Sequence, residues 1–231
     1  MQLHKDSRVF NQGRLKQFII NNGCFSPQEN EQIYERWFAS GPRYLFRAVD
    51  NKYHISQKTL CDVGCAYGTN LLYCTKDSYG IEIDKHRARF ARSLGLKVYE
   101  LDIQKDSVAD LPKVEVIWCS AVLEHVECPH TFLKRLHVIL KPGGIMALYV
   151  PTIPLLPIMS HIPRLKNYIS GYDAYDHVNA FVPSTLQFSC EKAGFRTLEI
   201  SPFYPGIFGA LNTVPLLNRI VSRTVYVGKK V

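Results

Sequence analysis

The sequence lacks the paired cysteines of a disulfide framework or a zinc ribbon. Its seven cysteines are odd in number, and no two are spaced as Cys-x-x-Cys. A long hydrophobic run is also missing, since the longest, residues 148–159, is broken by three prolines and a threonine and is too short to span a bilayer. The first residues contain no apolar core of the length that a secretory signal requires. These absences favour a reducing, cytoplasmic setting.

Acidic residues are scarce relative to basic ones. The 231 residues carry 28 Lys and Arg against 20 Asp and Glu, a formal net charge of +8. Such an excess admits an anionic partner, for example nucleic acid. The densest basic stretch, residues 85–92, contains Ala88 and Ala91 at helical spacing, so we interpret it as the solvated face of a helix. Nucleic acid is therefore a partner that the sequence allows but does not favour.

Short apolar strands alternate with helices from residue 58 onward. Strands are predicted at residues 59–63, 79–83, 97–101, 114–119, 145–150, 195–201 and 223–228. Helices are predicted at residues 68–76, 85–94, 184–193 and from Pro129, where Phe132, Leu133, Leu136 and Leu140 share one face. Right-handed crossovers then predict an α/β fold with a parallel sheet and helices on both faces. The fold class that we expect is a doubly wound Rossmann-like sheet, mostly parallel with an antiparallel last strand.

The first 57 residues are predicted to form an N-terminal helical cap on a Rossmann-like domain at residues 58–231. Ser26 is the expected N-cap of a helix that runs to about Ala39, with Pro27 at the first helical position and Glu29 returning to the cap amide. A second helix is predicted at residues 44–52.

A proline-rich and then tyrosine-rich segment interrupts the alternation at about residues 151–180. Long segments of this kind inside a compact domain tend to be lids or binding elements, so we predict a lid insertion. The apolar stretches 153–162 and 203–217 are expected to pack together in the core, while contact with a lipid or a membrane surface remains the alternative.

A glycine-rich turn follows the first predicted strand. It reads Asp62-Val63-Gly64-Cys65-Ala66-Tyr67-Gly68, and a turn of this kind brings backbone amides and a helix amino end close to a ligand. Glu82 ends the second strand, where a carboxylate can accept both hydroxyls of a ribose. Together these residues predict a nucleotide-like ligand.

The spacing of the turn departs from that of a dinucleotide-binding loop. Ala66 stands at the second glycine position of G-x-G-x-x-G and Thr69 at the third. Over residues 59–152 the chain instead resembles the class I S-adenosylmethionine-dependent methyltransferases, and most closely those that act on quinones, glycans and natural products. The resemblance rests on five blocks in order: the glycine-rich turn, residues 80–82, Asp102-Ile103, residues 122–126 and residues 140–144.

This resemblance implies S-adenosylmethionine as the cofactor, S-adenosylhomocysteine as the product, and no metal. By position, Asp62 would hold the loop and the methionine amino group. The backbone of Gly64, Cys65 and Gly68 would lie under the methionine and ribose portions, and Ser120 would supply a backbone contact near the sulfonium.

The resemblance also assigns the ribose and adenine contacts. Glu82 would bind the ribose hydroxyls, with Ile83 packing on adenine. Asp102 would accept from the adenine amino group, and Ile103 would cover the other face of the ring.

Two histidines are candidate catalytic residues. Methyl transfer is an in-line displacement that needs a general base only when the acceptor is a weak acid, such as a phenol or a sugar hydroxyl. His125 and His177 are the candidates for that base, and an oriented, structural histidine is the alternative for each. The run of Glu124, His125, Cys128 and His130 lacks a convincing tetrahedral set, so we predict no metal site there.

The predicted acceptor is a small-molecule, lipid-linked or glycan compound, with Tyr168, Tyr172 and Tyr175 as candidates for its lid. Three alternatives stay open: an RNA or protein methyltransferase that uses the basic surface, a nicotinamide oxidoreductase, which the glycine spacing opposes, and a non-enzymatic protein that retains the fold. The expected location is cytoplasmic, with peripheral membrane contact open. The oligomeric state is not predicted.

Overall fold

The computed structural model describes residues 12–153, 176–202 and 223–231. The chain divides into two compact units, Met1–Asp106 and Ser107–Val231. The strands are β1 Leu60–Val63, β2 Tyr79–Glu82, β3 Val98–Glu100, β4 Val114–Ser120, β5 Leu140–Pro151, β6 Phe195–Pro202 and β7 Arg223–Lys230. The α-helices in the described residues are α1 Gln12–Asn22, α2 Pro27–Ile33, α3 Tyr44–Tyr53, α4 Lys85–Ser93, α5 Pro129–Ile139 and α6 Pro183–Lys192.

The strands form one sheet in the order β3-β2-β1-β4-β5-β7-β6. β1, β2 and β3 pair in parallel, as do β4 and β5. β7 runs antiparallel to both of its neighbours, β5 and β6. The predicted fold class is thereby confirmed.

The start of α2 follows the predicted capping pattern. The backbone N–H of Glu29 donates to Ser26 Oγ at 3.3 Å, and the backbone N–H of Ser26 donates to Glu29 Oε2 at 3.0 Å. Pro27 occupies the first turn. The helix continues into a π-helical segment, Tyr34–Phe38, so it ends close to the predicted Ala39.

The N-terminal helices share a hydrophobic core with α4. Leu15 and Ile19 of α1 and Phe38 of the π-helical segment pack in one buried cluster with Phe90 and Leu94. Apolar burial of this kind is the main stabilising term in folding. The division of the chain at residue 57 stays a prediction.

In the second unit, α5 buries the predicted face. Phe132, Leu133 and Leu136 are buried, whereas Leu140 already begins β5. Lys230 Nζ donates to the carbonyl oxygens of His137 and Leu140 at 2.6 and 2.7 Å, which satisfies the free carbonyls at the end of the helix.

One predicted helix is wrong. Residues 68–76 contain only a short 3₁₀ turn, Leu71–Tyr73. Thr69 Oγ1 donates to the carbonyl of Trp37 at 3.1 Å, and Asn70 Oδ1 accepts from the backbone N–H of Arg43 at 3.2 Å. These side chains bond to backbone outside a helix, a competition that disfavours Thr and Asn in helix interiors.

The second difference is the start of β5. The strand begins at Leu140 instead of at the predicted residue 145, and its register against β4 shifts between Val114 and Val116. Gly143 has φ +72° there, a conformation that glycine adopts without strain.

Most of the predicted lid, at residues 154–175, lies outside the described residues. So do Tyr168, Tyr172, Tyr175, the apolar stretch 154–162 and residues 203–217. Within the part of the chain that the structure describes, every helix is too short or too polar to cross a membrane.

Candidate functional site

The glycine-rich turn of the first unit places three residues in the left-handed region. Gly64 has φ +72°, Ala66 +50° and Gly68 +83°. The backbone N–H groups of Gly64 and Cys65 both donate to the carbonyl of Ile81, at 2.8 and 3.2 Å. The turn is thus tied to β2, the strand that carries Glu82.

Glu82 is buried, with 4% of its surface exposed, and it is fully engaged by backbone. Its Oε2 accepts from the N–H of Ala66 at 2.7 Å, and its Oε1 accepts from the N–H of Asp84 at 2.9 Å. Two charge-assisted bonds support a carboxylate at this buried position. Each oxygen keeps lone pairs that a ligand hydroxyl can use.

Asp62 lies at the start of the same turn and is 2% exposed. Burial raises its pKa to about 7, and the charge of Glu82 adds to the rise. Asn70 Nδ2 lies 3.5 Å from Asp62 Oδ2 and opposes the shift. A cationic ligand beside Asp62 would stabilise its ionised form.

Gly68 and Cys65 both have packing roles. A Cβ on Gly68 would lie 2.4 Å from Leu96 Cδ1 and 3.3 Å from Ala91 Cβ, and a Cβ on Gly80 would lie 2.4 Å from Cys65 Sγ. The Cys65 thiol is therefore a small buried group in the core, and burial raises its pKa. Glycine thus suits position 68 both by its φ and by the close approach of Ala91 in α4 and of the Leu96 side chain after that helix.

The predicted adenine contacts follow β2 and β3. Ile83 is 64% exposed and Ile103 is buried. Asp102 Oδ1 accepts from the backbone N–H of Gln104 at 2.9 Å, and its Oδ2 lies 3.6 Å from Lys105 Nζ. The Asp102 carboxylate is thus already engaged within its own turn.

Arg43 is a candidate binding residue that the sequence analysis missed. Its guanidinium lies 4.5 Å from the ring centroid of Trp37, and its backbone contacts Asn70 beside the glycine-rich turn. Burial, with a smaller effect from Arg36, lowers the pKa of Arg43. No motif marks this residue, because the arrangement depends on contacts between residues far apart in sequence.

In the second unit, Ser120 ends β4 and is half-buried. Ala121 follows with φ +55°, and its N–H donates to the carbonyl of Tyr149 at 3.0 Å. The chain therefore turns sharply directly after Ser120.

The two candidate catalytic histidines lie together in the second unit. The ring centroids of His125 and His177 are 4.8 Å apart. Glu124 Oε1 lies 3.8 Å from His125 Nε2 and 4.0 Å from His177 Nε2. Both histidines are candidates from the sequence, whereas Glu124 is recognised as the carboxylate between them only in the fold.

Glu124 differs from the other buried carboxylates in having no hydrogen bond to its side chain. It is 1% exposed, and neither Oε1 nor Oε2 has a hydrogen-bond partner among the described residues. Burial raises its pKa. The backbone carbonyl of Glu124, in contrast, accepts from the N–H groups of Val178 and Asn179, both at 3.0 Å.

Comparison with known proteins adds the following. A family model described as a methyltransferase domain matches residues 30–200. A tRNA U34 carboxymethyltransferase of Campylobacter jejuni is 30% identical over 157 residues, 63% of this chain and 52% of that protein. A ubiquinone biosynthesis O-methyltransferase of Rickettsia canadensis is 26% identical over 149 residues, 61% of this chain and 58% of that protein.

Solved structures share the fold. An S-adenosylmethionine-dependent methyltransferase from Archaeoglobus fulgidus superposes with a TM-score of 0.60 at 20% identity, covering 86% of this chain and 98% of that one. The chain spans a little over half the length of the curated relatives described above.

Proposed function

Because the chain belongs to the methyltransferase-domain family and has the fold of the class I S-adenosylmethionine-dependent enzymes, we propose that it methylates a small-molecule, lipid-linked or glycan acceptor. The observation that carries the cofactor part of this proposal is the pair of bonds that hold Glu82 between Ala66 and Asp84. They hold a carboxylate with spare lone pairs beside the backbone of the glycine-rich turn, an arrangement suited to the hydroxyls of a ribose.

The proposed cofactor contacts follow from the first unit. Glu82 binds the ribose hydroxyls of S-adenosylmethionine, and Asp62 binds the methionine ammonium. Arg43, which is exposed and whose guanidinium lies over the ring of Trp37, suits the methionine carboxylate, because a guanidinium forms charge-assisted hydrogen bonds to a carboxylate.

The remaining contacts are proposed by position along the chain. The backbone of Gly64, Cys65 and Gly68 lies under the methionine and ribose portions. The adenine ring is covered by Ile83 and Ile103 and bound by Asp102, and Ser120 supplies the backbone contact near the sulfonium.

The proposed reaction is a direct displacement. A lone pair of the acceptor attacks the methyl carbon, the carbon–sulfur bond breaks, and S-adenosylhomocysteine leaves. The protein contributes alignment of the two partners. For a hydroxyl acceptor, His125 or His177 takes the proton.

RNA is the second candidate acceptor. The Campylobacter relative is named for tRNA, and α4 exposes Lys85 and Arg89, for which the described residues provide no acidic partner. RNA binding through this face would weaken steeply as salt rises. A small-molecule acceptor would show little salt dependence.

The cofactor assignment is tested by calorimetry with S-adenosylmethionine, S-adenosylhomocysteine and NADH. Glu82→Ala is expected to weaken the binding of S-adenosylmethionine about ten-fold or more, because charge-assisted hydrogen bonds are lost. Glu100→Ala is the matched control, since Glu100 pairs with Glu82 in the β2–β3 register but bonds Arg92. Equal losses in both variants, unchanged affinity in Glu82→Ala, or preferential NADH binding would contradict the assignment.

A further inference from the structure

The cluster of Glu124, His125 and His177 in the second unit contains the ligand types of a metal site. One carboxylate oxygen and one nitrogen from each histidine lie within 4.8 Å of one another. Two imidazoles and a carboxylate form a common protein set for Zn²⁺ and related divalent transition ions. We propose that these three side chains bind a divalent first-row transition metal ion.

The first support is the side chain of Glu124. A buried carboxylate without hydrogen bonds is costly, and nearly all buried polar groups in folded proteins are paired. Within the described residues, the titratable groups that interact with Glu124 include His125, His177, Asp176 and Tyr149. A cation between the carboxylate and the two rings supplies the missing partner.

The second support is the orientation of His125. Its Nδ1 lies 3.0 Å from the carbonyl oxygen of Asp176, an acceptor, so a neutral ring donates its Nδ1–H there. Nε2 then carries a lone pair, 3.8 Å from Glu124 Oε1. A backbone carbonyl that fixes the outer nitrogen while the inner one faces a ligand site is the usual arrangement for metal-binding histidines.

The third support is the attachment of His177 to the same turn. The N–H groups of Val178 and Asn179 donate to the carbonyl of Glu124, and Asn179 Nδ2 donates to the carbonyl of Val126. The segment after His177 is therefore bound to the turn that carries Glu124 and His125. Side chains 52 positions apart are held together by backbone bonds before any ligand arrives.

The distances suit a small adjustment on binding. Ligand atoms around tetrahedral Zn²⁺, at bond lengths of about 2.0–2.1 Å, lie about 3.4 Å from each other. The Glu124 Oε1 separations of 3.8 and 4.0 Å exceed this by about half an ångström, which side-chain rotation absorbs. Three protein ligands leave one position open for water or another oxygen ligand.

In the sequence, the neighbouring ligand types of Glu124 and His125 are Cys128 and His130, which do not complete a tetrahedral set, so no metal site is predicted there. Both of these residues are exposed. The third ligand, His177, comes from beyond β5, and only the fold reveals it. Metal binding is measured without cofactor, so the proposal stands or falls separately from methyl transfer.

The test is calorimetric titration of Zn²⁺ into untagged, chelator-treated full-length protein. One ion per chain is expected, and His125→Ala and His177→Ala should each weaken binding at least ten-fold. His130→Ala is the matched control and should leave the affinity unchanged. Circular dichroism in chelator shows whether each variant is folded.

A second measurement uses Co²⁺ as a spectroscopic probe. Visible absorption should rise to saturation at one equivalent and be lost in Glu124→Gln, which keeps the shape of the side chain. The proposal is overturned if the wild-type protein binds no stoichiometric ion, if His130→Ala loses as much affinity as His177→Ala, or if Glu124→Gln retains the cobalt spectrum.

Discussion

Two buried glutamates, one in each unit, differ in the hydrogen bonding of their carboxylates. Glu82 is 4% exposed and Glu124 1%, yet each Glu82 oxygen accepts a backbone N–H whereas neither Glu124 oxygen has a partner in the described chain. Each oxygen of Glu82 is therefore already hydrogen-bonded within the fold, and its remaining lone pairs can accept from a ligand. Glu124 lacks such bonds and, in our proposal, takes its partner from a bound cation, so equal burial carries different functional meaning.

The largest expected effect concerns the packing beneath the glycine-rich turn that Glu82 supports. Gly68→Ala should destabilise the protein by about 2–3 kcal/mol, because left-handed strain adds to crowding against Ala91 Cβ, while the end of the Leu96 side chain can turn away. Gly95→Ala is the control: Gly95 has φ +82°, but a Cβ there meets no atom within 4 Å. Urea denaturation of Gly95→Ala should show a loss of about 1–2 kcal/mol in the free energy of unfolding. Equal losses would show that Gly68 contributes only its φ.

Replacing glutamate by glutamine is expected to change the free energy of unfolding in opposite directions at positions 82 and 124. Glu82→Gln should lower the free energy of unfolding by about 1–3 kcal/mol, because an amide nitrogen then faces a backbone N–H donor. Glu124→Gln in metal-free protein should leave stability unchanged or raise it by about 1 kcal/mol, because no hydrogen bond is lost and a buried charge is removed.

Thermal or chemical denaturation of both variants in chelator, at neutral pH, provides the measurement. A loss of similar size at Glu124 would mean that its carboxylate is already paired, and the contrast between the two glutamates would disappear.

The pH dependence of cofactor binding sharpens the role of Asp62. Because burial raises its pKa to about 7, the carboxyl is largely protonated below that pH in the cofactor-free protein. Binding of the methionine ammonium favours the ionised form. S-adenosylmethionine affinity should therefore rise with pH up to about 7, by at most about ten-fold per pH unit. Asp62→Asn should weaken binding and flatten this profile, and a profile that stays unchanged in the variant would remove Asp62 from the assignment.

The smallest effect is expected at Ala66. Its φ of +50° costs about 1–2 kcal/mol for a residue with a Cβ, while glycine adds about 0.5–1 kcal/mol of chain entropy. Ala66→Gly should thus change stability by less than about 1 kcal/mol, in the stabilising direction. A clear loss in the free energy of unfolding would show that the Ala66 methyl makes stabilising contacts near Glu82.

The sequence predicted most of the fold because local signals agreed with each other. The cap at Ser26, the apolar face of α5 and the strand pattern around Glu82 each depend on neighbours within a few residues. The predicted helix at residues 68–76 was wrong because its polar residues bond Trp37 and Arg43, contacts that no local pattern encodes.

The candidate site was predicted unevenly for the same reason. Asp62, Gly64 and Glu82 belong to motifs with fixed spacing, so residue order located them. The neighbourhood of Glu124 with His177, and that of Arg43 with Asn70, exists only after distant segments meet. Electrostatic consequences such as the raised pKa of Asp62 depend on burial in three dimensions.

The shared core of α1, the π-helical segment and α4 has a consequence for how the protein is made. Leu15, Ile19 and Phe38 leave the ribosome before Phe90 and Leu94 exist. The early helices of the nascent chain therefore carry an uncovered apolar side until α4 has been synthesised. If translation stalls between these segments, the nascent chain would expose apolar surface that chaperones bind.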